Sequence, residues 1–227
     1  SSLVQFRINP KDEFELQLLN AKYLALPPTE QAPTHFTKVE AGKTHTLYAN
    51  NQNEGYFTQG EVVSGGCVDN KNFPTALEKW LRDGLAHSKV FPLLHFSKQC
   101  FENELLANLN YAEKKATQPT MLYSENKSAS ISSGPSSKVF ETSIDVQKNN
   151  SIIFKMNYHK NWRATLDGKA IETQAVMPSY IAIEAGPGRH HIRLEYISDA
   201  LKTVLLWICG ATLIGLASLL WIDRKQL

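Results

Sequence analysis

The sequence predicts an α+β protein with a mixed α/β N-terminal part, then a small antiparallel β-sandwich, then one C-terminal transmembrane helix. Three observations predict this order. Apolar residues recur at both helical and strand spacing in the first part, paired alternating segments with tight turns follow, and the last long apolar run contains no charged residue. The predicted parts are residues 1–127 (mixed α/β extracytoplasmic domain), 128–138 (Ser-rich linker or loop), 139–198 (β-sandwich), 199–222 (transmembrane helix) and 223–227 (cytoplasmic tail).

Within residues 1–127 the spacing of apolar residues changes along the chain, from strand-like to helical and back. Residues 3–8 alternate apolar and polar side chains, which predicts a strand, and residues 90–96 form an apolar run typical of a buried strand. Between them, Leu77, Trp80 and Leu81 recur at helical spacing. Residues 98–115 repeat that spacing, so this part is expected to combine two amphipathic helices with short strands.

The second part is predicted to be entirely β. Its residues alternate apolar and polar side chains in six short segments, and the segments are joined by turn-forming residues. The strongest turn signal is Asp167-Gly168, because a type I′ turn needs positive φ at both central residues. Six strands in under 60 residues predict a small antiparallel sandwich. The Ser-rich stretch before it predicts a linker or loop.

The apolar run at residues 203–222 predicts a membrane-spanning helix. Its 20 residues suit a hydrocarbon core of roughly 30 Å, and Trp207 and Trp221 lie near its ends. Arg224 and Lys225 follow it, which favours a cytoplasmic C-terminus and places the bulk of the chain outside the cytoplasm, at the cell membrane. Small residues predict a helix-packing face for other transmembrane helices or subunits. They are Gly210, Ala211, Gly215 and Ser218.

Composition excludes some classes of function. The formal net charge is +2 and no long basic run occurs, so nucleic acid is not an expected partner. The chain has neither a CxxC nor a Cys/His zinc pattern, and neither a metal nor another cofactor is predicted. Cys209 falls in the predicted span, which leaves Cys67 and Cys100 outside it. They would form a disulfide in an oxidising compartment if the fold brings them together, a point that spacing leaves open.

The segment from residue 157 to residue 199, followed by the apolar run, resembles the C-terminal end of the YfhO-type bacterial membrane proteins, which are glycosyltransferases of the GT-C class. In that family an aromatic strand precedes a Gly-Trp pair, an Asp-Gly-Lys turn and a Gly-basic-His before a strand ending in Tyr. The chain departs from this pattern at Asn161, where the family has Gly, and at Pro187 within the turn. The matching positions are Tyr158, Trp162, Asp167, Gly168, Lys169, Gly188, Arg189, His190 and Tyr196.

The resemblance implies that this chain lacks the catalytic residue of the family. In GT-C enzymes the catalytic acid lies in a loop near the first membrane helices, whereas this chain matches the last extracytoplasmic domain and the last helix. No catalytic residue is therefore predicted here. His190 and His191 alternate faces on a strand and cannot ligate one metal from the same face. His190 is expected on the core face.

A sugar-binding role is weighed for four residues of the second part. Tyr158, Trp162 and Tyr180 could stack on a pyranose ring, and Asp167 could accept hydrogen bonds from hydroxyl groups. A structural role is the stronger interpretation, because Tyr158 and Trp162 share their strand positions with core residues and Asp167-Gly168 is explained by turn geometry.

Two functional hypotheses follow. The first is a membrane-anchored extracytoplasmic accessory domain related to GT-C glycosyltransferases that use lipid-linked sugars, non-catalytic as it stands. The second is a single-pass structural subunit that stabilises a larger membrane protein complex. Either a signal peptide has been removed before Ser1, or the chain is the C-terminal piece of a longer membrane protein, and only the latter would make it part of an enzyme. The expected partners are the lipid bilayer, other transmembrane helices or subunits, and a lipid-linked sugar.

Overall fold

The computed structural model describes residues 12–51, 53–97, 100, 104–116, 139–197 and 204–215. Within these residues the chain forms four helices and twelve strands. The helices are α1 (Glu13–Leu18), α2 (Phe73–Arg82), α3 (Glu104–Ala116) and α4 (204–215). The strands are β1 (Tyr23–Leu26), β2 (Phe36–Ala41), β3 (Thr46–Asn50), β4 (Phe57–Val68), β5 (Val90–Phe96), β6 (Val139–Val146), β7 (Ser151–Phe154), β8 (Trp162–Leu166), β9 (Lys169–Ile171), β10 (Gln174–Val176), β11 (Tyr180–Ile183) and β12 (Gly188–Tyr196).

The predicted fold class is wrong, because the described residues are mostly β and are not organised as a mixed part followed by a sandwich. The strands form a three-stranded sheet in the order β1-β3-β2, a closed barrel in the order β10-β11-β7-β4-β5, and a four-stranded sheet in the order β6-β12-β8-β9. The barrel draws strands from both predicted parts, since β4 and β5 lie before the Ser-rich stretch and the other three lie after it.

The barrel is antiparallel at every pairing except one. Strands β4 and β5 run parallel, and the connection between them is the helix α2, as parallel pairs require. The two backbones approach closely at Gly65, where a Cβ atom would lie 1.7 Å from the carbonyl oxygen of Leu93. Glycine is therefore required at this point of β4.

Burial explains why the six strands expected in one sandwich are divided between the barrel and the four-stranded sheet. Strand β12 alternates between inward and outward side chains towards its C-terminal end, as expected for a sheet with one face on a core. By contrast, every residue of β11 is buried, and so are the last three residues of β7. Strands that are apolar on both faces need cover on both sides, which the barrel position provides.

Two hydrophobic cores result. The first packs α2 and α3 against one side of the barrel, and the indole N–H of Trp80 in α2 donates a hydrogen bond to the Val90 carbonyl at 2.7 Å. The second packs the four-stranded sheet against the other side of the barrel. Neighbouring residues of β7 divide between them: Ile153 belongs to the first core, whereas Ile152 and Phe154 belong to the second.

The predicted transmembrane helix is corrected by the structure. The structure describes helix α4 over residues 204–215, which is part of the predicted span at 199–222. No helix among the described residues is both long and apolar enough to cross a membrane. The strand predicted at 3–8, the Ser-rich stretch at 128–138, and the residues from 216 onward, which include Ser218 and Trp221, lie outside the described residues.

Cys67 and Cys100 form a disulfide in the structure, with their Cα atoms 5.4 Å apart. The bond joins the end of β4 to the segment before α3, across a sequence separation of 33 residues. It therefore fastens α3 to the barrel strand on which α3 packs.

We expect a Cys67→Ser/Cys100→Ser variant to lose about 3 to 4 kcal/mol of unfolding free energy. The reason is that a cross-link closing a loop of this length lowers the entropy of the unfolded chain, which is equivalent to about that free energy. Urea denaturation under non-reducing conditions measures it. The matched control is Cys209→Ser, which removes an exposed free cysteine and should leave the unfolding free energy unchanged. Equal stability of the two variants would contradict a structural role for the bond.

Candidate functional site

A buried lysine lies at the end of β7, between the barrel and α1. The side chain of Lys155 is only 3% exposed, and its Nζ donates a hydrogen bond to the Gln17 carbonyl at 2.9 Å and lies 3.5 Å from Glu54 Oε2. Glu54 also accepts hydrogen bonds from Lys89 Nζ at 3.0 Å and from the Thr58 hydroxyl at 3.0 Å. One carboxylate therefore bridges two ammonium groups.

The charges in this cluster shift one another's pKa. Burial alone would raise the pKa of Glu54, but the attraction of Lys155 and Lys89 outweighs burial and holds that pKa below its ordinary value. Burial lowers the pKa of Lys155 to about 8, against the opposing attraction of Glu54. A sizeable fraction of neutral amine is therefore present at Lys155 in mildly alkaline solution.

The cluster attaches α1 to the barrel. Lys155 contacts the Gln17 carbonyl, and the Tyr180 hydroxyl donates a hydrogen bond to the Leu18 carbonyl at 2.6 Å. Both carbonyls belong to the last turn of α1, whose partial negative charge favours a cation. Burial raises the pKa of Tyr180 to about 12, so its hydroxyl stays protonated and remains a donor.

The cavity beside this cluster is small, and the surface of its walls is mostly apolar. Its lining residues are Phe14, Gln17, Leu18, Glu54, Thr58, Lys89, Phe91 and Lys155. A lysine with a lowered pKa can act as a nucleophile or base where a substrate reaches it. Here the amine already donates to Gln17, faces Glu54 and is almost fully covered. The arrangement therefore holds α1 in place and does not present a reactive group.

A second polar cluster, which we name the turn cluster, joins the β8–β9 turn to the loop before β12 and the start of β12, at one end of the four-stranded sheet. Asp167 lies in the β8–β9 turn with φ +51°, followed by Gly168 at φ +79°, as the hairpin signal predicts. Its Oδ2 lies 2.7 Å from His190 Nδ1, and its Oδ1 accepts a hydrogen bond from the backbone N–H of His191 at 2.8 Å. His190 Nε2 lies 2.9 Å from the Gly186 carbonyl.

Both ring nitrogens of His190 therefore face acceptors, and only the cationic imidazolium can donate to both. The hydrogen bond to Asp167 raises the pKa of His190 above its ordinary value. The same bond, together with the His191 backbone N–H, lowers the pKa of Asp167. The side chain of His190 is 19% exposed on the face shared with Ile192 and Leu194, which is the expected core face.

The structure does not bring the four possible sugar-contact residues into one site. Trp162 is 6% exposed and packs edge-on against Phe154, and Tyr180 is 7% exposed and bonded to α1. Tyr158 is half-buried. Asp167 lies in the turn cluster, at the other end of β8 from Trp162. In helix α4, Gly210 is half-buried, and Ala211 and Gly215 are exposed.

Sequence reasoning missed the Lys155 cluster. A signal was present, because Lys155 directly follows the apolar run Ile152–Phe154 with no turn residue between them. A charged residue that continues a strand buried on both faces is expected to have a buried partner. The identity of that partner, Glu54, could not be read from the sequence, since 101 residues separate the two.

We expect Glu54→Gln to lower the unfolding free energy by about 3 kcal/mol, because it leaves the buried ammonium of Lys155 beside Lys89 without a carboxylate. This value is at the low end for a broken buried pair, since the side chain of Glu54 is 28% exposed. Chemical denaturation measures it. The control is Glu61→Gln, an exposed glutamate of β4 that should change stability by less than about 0.5 kcal/mol. Equal effects would refute the bridging role.

The turn cluster should make stability depend on pH. Because the pKa of His190 is raised, its protonated ring stabilises the fold fully below pH 6.5. This stability is lost as the pH rises through the pKa of His190 in the folded state. Because the pKa of Asp167 is lowered, its carboxylate stabilises the fold above pH 3.8. This stability is lost as the pH falls through the pKa of Asp167 in the folded state. The advantage of the wild type over His190→Gln should therefore be largest at about pH 5 and shrink towards about pH 8.5. Thermal unfolding across this range tests it, with His191→Gln as control, and a constant difference would contradict the cluster.

Comparison with known families adds one finding to this geometry. Residues 96–207, just under half of the chain, match the model of the family described as "Bacterial membrane protein YfhO". The matched range contains every residue of the turn cluster and all strands from β6 to β12. No curated protein and no solved structure matches the chain. The match confirms the resemblance predicted from the sequence: residues 96–207 are similar to bacterial membrane proteins of the YfhO type.

Proposed function

We propose that this chain provides a non-catalytic, extracytoplasmic accessory domain in a membrane protein related to the GT-C glycosyltransferases that use lipid-linked sugars. The family match supports membrane association. The relation to glycosyltransferases rests on the motif positions shared with YfhO-type proteins. The accessory role rests on what those motif residues do in the fold.

The observation that carries the proposal is that the motif residues are occupied by structural contacts. Both carboxylate oxygens of Asp167 have partners within the turn cluster, and both ring nitrogens of His190 face acceptors. Trp162 is buried in the second core. Gly168 and Gly188 adopt φ of +79° and +125°, which L side chains rarely adopt. These residue types are thus explained by folding, without a substrate.

The extracytoplasmic location is supported by the disulfide between Cys67 and Cys100. Disulfides form and persist in oxidising compartments such as the periplasm or the cell surface, and are rare in the cytosol. The bond lies between two main structural units, the barrel and α3, so the domain would assemble in its bonded form outside the cytoplasm.

A structural subunit of a larger membrane complex is the second candidate. Helix α4 favours it, because apolar side chains such as Leu206, Trp207 and Ile214 are exposed within the described part of the chain. An apolar surface of this kind marks a contact with lipid or with other subunits. Both candidates make the chain a non-catalytic partner, and they differ in whether the assembly transfers sugar.

We expect the purified chain to transfer no sugar when it is incubated with a polyprenyl-phosphate-linked hexose and an acceptor glycan, as measured by the labelled hexose that becomes bound to the acceptor. Asp167→Asn should lower the melting temperature, because it weakens the turn cluster, and should leave any binding of the lipid-linked hexose unchanged. Transfer by the chain alone, or loss of hexose binding at an unchanged melting temperature, would overturn the accessory role. The control is Glu172→Gln, which changes an exposed carboxylate that directly follows β9.

A further inference from the structure

A partly exposed aromatic surface lies at one end of the domain, where Phe96 and His159 are exposed and Tyr158 and Tyr196 are half-buried. The ring of Phe96 is more than half exposed and stacks on Tyr158, with ring centroids 6.3 Å apart and an interplanar angle of 19°. The next residue, His159, packs its ring against Tyr196 at 5.5 Å. The exposed Ile197 is tied to the same loop by a hydrogen bond from its backbone N–H to the Asn161 carbonyl at 3.0 Å. We name Phe96, Tyr158, His159, Tyr196 and Ile197 the aromatic end.

Basic side chains border the aromatic end. Lys160 and Arg163 are exposed, and the Arg163 guanidinium donates to the Lys160 carbonyl at 2.7 Å, which holds the two residues together. Glu195 lies opposite Arg163 across the strands, but its carboxylate pairs with Arg193 at 3.1 Å. The border therefore presents ammonium and guanidinium groups beside exposed rings.

The aromatic end is also where the chain leaves the domain towards α4. Ile197 ends the described part of the domain, and α4 begins at residue 204. Seven residue steps span at most about 25 Å, so the apolar helix starts within that distance of Ile197. The apolar helix therefore starts near the aromatic end, to which Tyr196 and Ile197 belong.

We propose that the aromatic end is the surface that rests on the lipid bilayer, with its rings at the level of the headgroups and Lys160 and Arg163 facing lipid phosphates. This deepens the proposed function, since it names the lipid contact of the accessory domain. Aromatic side chains with one polar and one apolar part favour the membrane–water interface, and basic residues favour anionic lipid. The match to a bacterial membrane protein family argues for lipid over another occupant.

The opposite end of the domain provides the internal control. Strand register places Trp162 and Tyr196 at one end of the four-stranded sheet, and Val146 and Gly188 at the other. Lys148 is exposed in the turn after Val146. The eight residues of β6 separate the two ends by roughly 23 Å, which exceeds the depth of a headgroup layer. Lys148 should therefore stay in water when Lys160 contacts lipid.

The test uses the full chain in a Cys209→Ser background, with one environment-sensitive fluorophore on Lys160→Cys or on Lys148→Cys. The vesicles contain phosphatidylethanolamine and phosphatidylglycerol, with or without lipid that carries a quencher on its acyl chain. We expect the chain to float with the vesicles and the label at position 160 to be quenched at least twofold more than the label at 148.

Each other outcome counts against the proposal. A chain that does not float with vesicles, or equal quenching at both positions, would overturn it. A label at 160 shielded from both the lipid quencher and an aqueous quencher would show that protein covers the surface, and would overturn it too. None of these results bears on sugar transfer, so the proposed function would be judged separately. In addition, Lys160→Glu should weaken vesicle binding about tenfold at low salt, while Lys148→Glu should not.

Discussion

The architecture depends on one constraint: the last three residues of β7 must be buried on both faces. Ile153 faces the core shared with α2 and α3, while Ile152 and Phe154 face the core shared with the four-stranded sheet. A strand with this pattern cannot lie at the surface of a two-layer sandwich without exposing one of these faces. It is covered by helices on one side and by a sheet on the other, and the barrel is the element that holds it there.

The end of the same strand explains the position of α1. The apolar run stops at Lys155, whose ammonium is buried and therefore needs acceptors. It finds them in Glu54 and in the last turn of α1. A buried charge bridged in this way contributes little net stability compared with apolar packing, but it specifies which segment covers the barrel end. Tyr180 also fixes α1 on the barrel, because its hydroxyl donates a hydrogen bond to the Leu18 carbonyl.

Local features were readable from the sequence, and long-range pairing was not. The hairpin at Asp167-Gly168, the helical stripe of Leu77 and Trp80, and the strand at 90–96 follow from residue periodicity and turn chemistry. The barrel could not be predicted, because the parallel pairing of β4 with β5 and the contact of β4 with β7 join segments far apart in sequence. The residues of the turn cluster were partly visible as a motif. The contact between Asp167 and His190 could not be predicted, because it depends on how β8 and β12 pair in the fold.

The barrel can close only with strands β4 and β5, which pair in parallel and lie almost entirely outside the range matched by the family. The matched range begins at residue 96, the last residue of β5, and so omits β4 and nearly all of β5. Strands β7 and β10 bond to these two strands, so the matched range by itself would leave both with an open edge. Unpaired apolar edges promote aggregation. The unit recognised by sequence similarity is therefore smaller than the unit that can close its barrel, and the upstream strands are part of the same folding domain.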